Sequence, residues 1–248
     1  MLLLFGNETV RDNWYVGEKA ATVYTRMYFV NSGEVSYKDN TKTIKLKKNH
    51  LYCFPTDKTY SLSQDKNNKL NCLFLHLSIF PYHIPHLVEI SFKDDLLLKD
   101  IKSILEKLIT QNRQEAQLSI MAPITEALTA YLKANDYIKL YSSPIVNALE
   151  MIAKNPQINY SVNELSLACA YNDQYFIRLF KKELGVSPHQ YILFYKMNIA
   201  IKLLQSGQSI SRISDELGFN ELRSFGRCFK KQYGMSPTEF KKYVNIIP

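Results

Sequence analysis

Long apolar runs are missing: nowhere in the 248 residues do the roughly 20 consecutive apolar side chains that span a bilayer occur, so no membrane partner is expected. Cysteine is scarce. Cys53, Cys72, Cys169 and Cys228 lie far apart with no C-x-x-C pair, which excludes a zinc knuckle and a disulfide scaffold. The eight glycines form no cluster that would cradle a phosphate, and neither a P-loop nor a Gly-x-Ser-x-Gly elbow is present. Of the histidines His50, His76, His83, His86 and His189, none forms the His-x-His pair from which barrel metalloenzymes build a centre. His83-x-x-His86 sits among Pro81 and Pro85, so neither strand nor helix fixes its geometry. No catalytic residue, metal or cofactor is therefore expected, and the chain is read as a non-enzyme. The opening Met1-Leu-Leu-Leu-Phe5 is too short for a signal-peptide core and lacks a basic start, so the expected location is the cytoplasm.

What is present is a globular composition, 46% hydrophobic and 22% charged, long enough for one large domain or two small ones. Lys and Arg outnumber Asp and Glu by 31 to 23. That excess suits nucleic acid, a membrane surface or an acidic ligand without choosing among them. Residues 1–92 read as β: 22–30, 34–37, 43–46, 51–54 and 70–79 are short runs rich in Val, Tyr, Phe and Leu, separated by Asn, Asp, Gly and Pro turn signals. Short strands with tight connections point to a small β-barrel or sandwich. In 93–141 the period changes. Leu97, Ile101, Ile104 and Leu108 form one helical seam, and Leu118, Ile124, Leu128 and Tyr131 a second, from about Gln117. These helices are candidates for a homodimer interface or for packing against the strands. The expected fold class is thus α+β with two domains, a small N-terminal β-barrel with following helices and an all-α C-terminal domain over 142–248, begun by Ser142-Ser143-Pro144.

The C-terminal region contains a duplication. Residues 176–188 (FIRLFKKELGVSP) and 225–237 (FGRCFKKQYGMSP) agree at eight of thirteen positions, and Leu165–Asn172 aligns with Ile213–Asn220. Each copy reads as two short helices with a tight turn, a helix-turn-helix, over 162–184 and 210–233. In the second helix of the first copy Phe176, Leu179 and Phe180 form the core face. Gln174, Ile177, Arg178 and Lys181 recur on the opposite face, and Arg223, Gly226, Arg227 and Lys230 repeat that stripe. Arg forks onto guanine and Gln onto adenine in the major groove. Lys181, Lys182, Lys230 and Lys231 suit phosphates, with Asn172 and Asn220 at the helix starts. A helix from Pro188 to Ser206 joins the copies as a rod able to hold two reading helices about one DNA turn (~34 Å) apart. Residues 171–184 carry three basic and two acidic side chains, and 219–234 carry four and one. Half of the net +8 therefore falls in these two short segments.

Residues from about Pro144 to Lys242 resemble the DNA-binding domain of the AraC/XylS transcription regulators. The carriers are Arg178-Leu-Phe-Lys-Lys, Gly185-Val-Ser-Pro-His-Gln-Tyr191, Ile213–Asn220 and Phe225–Phe240. The resemblance implies seven helices, two helix-turn-helix units, binding to double-stranded DNA over two adjacent major-groove segments, and activation through RNA polymerase. By motif position the base-reading residues fall on Gln174, Ile177 and Arg178, then Leu222, Arg223, Gly226 and Arg227. Gly226 and Ser224 depart from the family pattern, which bears on sequence reading by the second unit. Asn31-Ser-Gly-Glu34 and Lys48–Pro55 resemble, more weakly, the cupin-like effector domain of such regulators, which implies a barrel holding a small-molecule effector.

Alternation along the strand puts Tyr24, Arg26 and Tyr28 on one face. Arg26 among tyrosines suits a sugar hydroxyl or a carboxylate, and His76 is a further candidate effector contact. The competing expectation is an Arg26 on the solvent face of an edge strand. A regulator with no small ligand, whose N-terminal domain serves protein–protein contact, is the alternative function.

Overall fold

The computed structural model describes residues 2–17, 24–110 and 114–246. Two compact units divide the chain at Leu140/Tyr141. The first contains β1 (Leu2–Thr9), β2 (Tyr15–Val16), β3 (Thr25–Ser32), β4 (Val35–Lys38), β5 (Thr43–Lys45), β6 (His50–Cys53), β7 (Ser61–Gln64), β8 (Asn71–Leu77), β9 (Tyr82–His83) and β10 (Val88–Ser91). Helices α1 (Leu96–Thr110) and α2 (Gln114–Ala134) and strand β11 (Lys139–Leu140) complete it. Thr22 and Val23, expected in β3, and the side chain of Leu118, expected on the second helical seam, lie outside the described residues.

The strands form an antiparallel five-stranded sheet, β1-β8-β3-β6-β10, a four-stranded sheet, β2-β7-β4-β5, and a short β11-β9 pair. Among the described residues no ladder joins the two larger sheets, so they are open sheets where a closed barrel is expected. The alternation of β3 shows what holds them together. Met27 and Phe29 point into a core shared with Leu98, Ile101 and Leu105 of α1 and with Leu128 and Leu132 of α2. Tyr28 and Val30 point into a second core with Val35, Tyr37 and Leu62 of the four-stranded sheet. The central sheet is therefore covered on both faces, which is why its strands read as nearly continuous apolar runs. Of the two roles open to the 93–141 helices, packing against the strands accounts for their buried seam.

The second unit contains α3 (Ser143–Lys154), α4 (Val162–Ala168), α5 (Asp173–Leu184), α6 (Pro188–Gln205), α7 (Ile210–Glu216), α8 (Leu222–Tyr233) and α9 (Pro237–Ile246). Helix α6 has 18 residues, about 27 Å at 1.5 Å per residue. It starts at a Ser187/Gln190 capping box with Pro188 in its first turn. Met197, Ala200, Ile201 and Leu204 of α6 pack with Ile213 and Leu217 of α7, Phe225 and Phe229 of α8, and Phe240 of α9. No helix among the described residues is long and apolar enough to cross a membrane.

Candidate nucleic-acid interface

Both copies are built to expose one face of their second helix. In the first, Ser161 and Glu164 form a capping box at the start of α4. The Ser161 backbone N–H and hydroxyl both donate to the Glu164 carboxylate, which holds its pKa below the usual value. Asn172 caps α5, its Oδ1 accepting from Tyr175 N–H at 2.9 Å. Asp173 ties the two helices together by accepting from the buried Ser166 hydroxyl at 2.5 Å. Phe176, Phe180 and Leu184 are buried, and Gly185 ends the helix in the left-handed region with its N–H on the Lys181 carbonyl. The outward face carries exposed Gln174, Arg178, Lys181 and Lys182, with Ile177 partly covered.

The second copy repeats the plan with less support. Ser209 caps α7, but Glu221, at the cap of α8, makes no side-chain capping bond. Ser214, the counterpart of Ser166, is buried with no hydrogen-bond partner for its hydroxyl among the described residues. Phe225 and Phe229 face the core, while Leu222, Arg223, Arg227, Lys230 and Lys231 are exposed and Gly226 is partly covered. Arg227 Nη2 donates to Ser224 Oγ at 3.2 Å, resting the guanidinium along the helix surface. Asn172 and Asn220 are exposed at the starts of the two helices, and the Asn172 amide N–H₂ stays outside its capping bond.

In the N-terminal unit, Tyr24, Arg26, Tyr28 and His76 come together. Arg26 is not on an edge: β3 lies between β8 and β6, and Arg26 sits opposite His76 in register. Its guanidinium donates to Tyr60 and Tyr24 hydroxyls, each at 3.0 Å. The His76 ring lies 5.2 Å from Tyr24 and 6.2 Å from Tyr28. Burial, aided by the Arg26 charge, holds the His76 pKa well below 6.5, and its buried Nε2 has no hydrogen-bond partner among the described residues. A cavity of about 360 Å³ adjoins the cluster, lined by Tyr28, His76, Trp14, Phe74, Glu8 and Arg11 among others. Seventeen tyrosines are too many for the sequence to discriminate among Tyr37, Tyr52 and Tyr60 as further candidates, and it is the fold that pairs Tyr60 with Arg26. Among the described residues no three His, Cys, Asp or Glu side chains converge as a metal site.

A sheet-based unit is followed along the chain by a helical unit with two exposed, basic helix-turn-helix faces. Residues 157–243 match the family described as a helix-turn-helix domain, and it is this unit that the chain shares with AraC/XylS-type regulators. The relatives that the chain matches are named as regulators of transcription or of operons. LumQ, a probable transcriptional regulator of Photobacterium leiognathi, is 29% identical over 57% of this chain and 59% of its own length. The chain thus spans less than two thirds of that relative. The Msm operon regulatory protein of Streptococcus mutans is 21% identical over 95% of the chain and 86% of its own. Among solved structures, apo ToxT K231A from Vibrio cholerae superposes with a TM-score of 0.67 at 12% identity, covering 99% and 97% of the two chains. A structure of unsaturated fatty acid-bound ToxT gives 0.63 at 13%, covering 96% and 92%. At these identities the likeness is one of fold.

Proposed function

We propose that the chain is a sequence-specific regulator of transcription that binds double-stranded DNA in two adjacent major-groove segments, α5 reading one and α8 the other. The observation that carries this reading is the pair of exposed stripes, repeated in register and joined by a helix about 27 Å long. Gln174, Ile177, Arg178, Leu222, Arg223, Gly226 and Arg227 face the bases. Asn172, Lys181, Lys182, Asn220, Lys230 and Lys231 hold the phosphates and set register. Activation through RNA polymerase is the mode of control we propose. The test is affinity on a duplex selected from random-sequence DNA: Arg178→Ala and Arg227→Ala each lose about 1–3 kcal/mol on that site and little on random duplex. Equal losses on both would reduce these residues to phosphate contacts.

The N-terminal unit is the seat of effector control in this reading. Arg26, partly buried and bonded to two tyrosine hydroxyls, lies beside a cavity with aromatic walls and a His76 nitrogen that has no hydrogen-bond partner among the described residues. Such a site fits a small molecule with a polar head and an apolar body, a carboxylate or a sugar, and ToxT binds an unsaturated fatty acid. A second reading, protein–protein contact or dimerisation, draws on the exposed Leu96, Leu97, Ile104 and Ile120 of α1 and α2. Thermal shift against a metabolite panel, with sedimentation of the same sample, separates the two.

A further inference from the structure

We propose that Lys196 is a positioning residue that fixes the spacing of the two reading helices, by fastening the loop that leads into the first helix-turn-helix to the turn inside the second. The inference rests on the DNA-reading function proposed above. Lys196 lies mid-way along α6, one helical turn from Ile192 and one from Ala200, and is only 1% exposed. An ammonium so placed must be satisfied by the protein. Its Nζ donates to Asn159 Oδ1 at 2.5 Å and to the Gln157 carbonyl at 3.3 Å, and lies 5.5 Å from the centre of the Phe219 ring. These partners are all neutral, and burial lowers the Lys196 pKa below that of an ordinary lysine.

The partners belong to different parts of the unit. Gln157 and Asn159 stand four and two residues before Ser161, the cap of α4, while Phe219 sits in the turn between α7 and α8. Asn159 closes the link by donating its Nδ2 to the Gly218 carbonyl at 3.2 Å. At Gly218 (φ +69°) a Cβ would stand 2.1 Å from the Gln157 carbonyl oxygen, so the two backbones approach as closely as a glycine permits. Loop, rod and turn therefore meet at one ammonium. The same rod holds the far end of α8, where the Tyr233 hydroxyl donates to Asn198 Oδ1 at 2.8 Å. Helix α8 is thus tied to α6 near both ends, and α4 is entered from a loop held at the same point.

A buried ammonium with only neutral partners costs desolvation that an apolar side chain would not, so its return is geometric definition rather than stability. Without it the two units stay connected by α6 but lose a fixed mutual angle. Discrimination among half-site spacings falls, while each unit's own half-site affinity remains.

The full-length chain is first used to select its preferred duplex from random-sequence DNA. Wild type, Lys196→Met, Lys196→Arg and Asn159→Ala are then titrated against that duplex, versions with one or two base pairs inserted between the half-sites, and each half-site alone. Wild type is expected to bind the two-base-pair insertion at least about tenfold more weakly. Lys196→Met keeps half-site affinity within about twofold and shrinks the insertion penalty below about threefold, and Lys196→Arg restores the penalty. Asn159 is exposed, so Asn159→Ala removes the acceptor without opening the core and shrinks the penalty likewise, which decides the matter if Lys196→Met does not fold. An unchanged penalty in a folded Lys196→Met, or in Asn159→Ala, overturns the inference and leaves the DNA reading intact. Failure of the wild-type chain to select any duplex overturns both.

Discussion

Ala170 and Gly218 occupy corresponding turns of the two copies and take the same left-handed backbone, at φ 58° and 69°. For alanine this conformation costs about 1–2 kcal/mol, for glycine nearly nothing. At Gly218 the Gln157 carbonyl adds a steric reason that no other residue escapes. Ala170→Gly is therefore expected to gain about 0.5–1 kcal/mol in urea unfolding, the relief of strain being partly offset by chain entropy. Gly218→Ala loses about 2–4 kcal/mol from strain and overpacking together. Equal and small shifts at both sites would show that the loop does not press on the turn. His76 supplies a pH signature at the same scale. Its folded pKa lies below the ordinary 6.5, so the neutral ring's stability contribution is present above pH 6.5 and is lost as pH falls from there toward the folded value. His76→Phe should flatten that acid slope in thermal melts of the full chain, and an unchanged slope would place its origin elsewhere.

The repeat, its caps and its outward stripes are local, and local features are legible in sequence. Asn172 before α5, Ser187-Pro188 before α6, and Gly185 and Gly234 after the reading helices each mark a boundary through their own chemistry. What is not local was not legible. Strand β1 pairs along the whole of β8, yet Gly6-Asn7-Glu8 interrupts its apolar run and leaves no strand period to find. Sheet closure depends on which distant edges meet, and no short pattern encodes that. For Lys196 the sequence offers one signal of burial, its position between Ile192 and Ala200 on one helix face. The two reading helices also differ in support: α5 is capped and tied to α4 through Asp173, whereas α8 lacks a side-chain cap and carries Gly226. A Cβ at Gly226 would meet nothing within 4 Å. Gly226→Ala is thus expected to stabilise the unit by about 0.5–1 kcal/mol in urea unfolding. A loss of stability would mean that the helix needs the glycine. A gain in stability with weaker binding to the selected duplex would mean that the DNA approaches the backbone there.

Across the whole molecule, charge and aromatic rings are divided between two tasks. Half of the positive excess gathers on α5 and α8 and their flanks, where the selected duplex is expected to lie. The N-terminal unit gathers Tyr24, Tyr28 and Tyr60 about Arg26 and His76, beside a cavity lined by Trp14 and Arg11, the place where the proposed effector would bind. The match of residues 157–243 to a helix-turn-helix family agrees with the expectation of a DNA-binding regulator. Hydroxyl-radical footprinting of the full-length chain on its selected duplex tests the central claim most directly. Two protected windows on one face of the DNA, centred about 10 base pairs apart, are predicted, with Arg178→Ala weakening one window and Arg227→Ala the other. A single window, or loss of both windows from either substitution alone, would contradict a molecule that reads DNA with two separately placed helices.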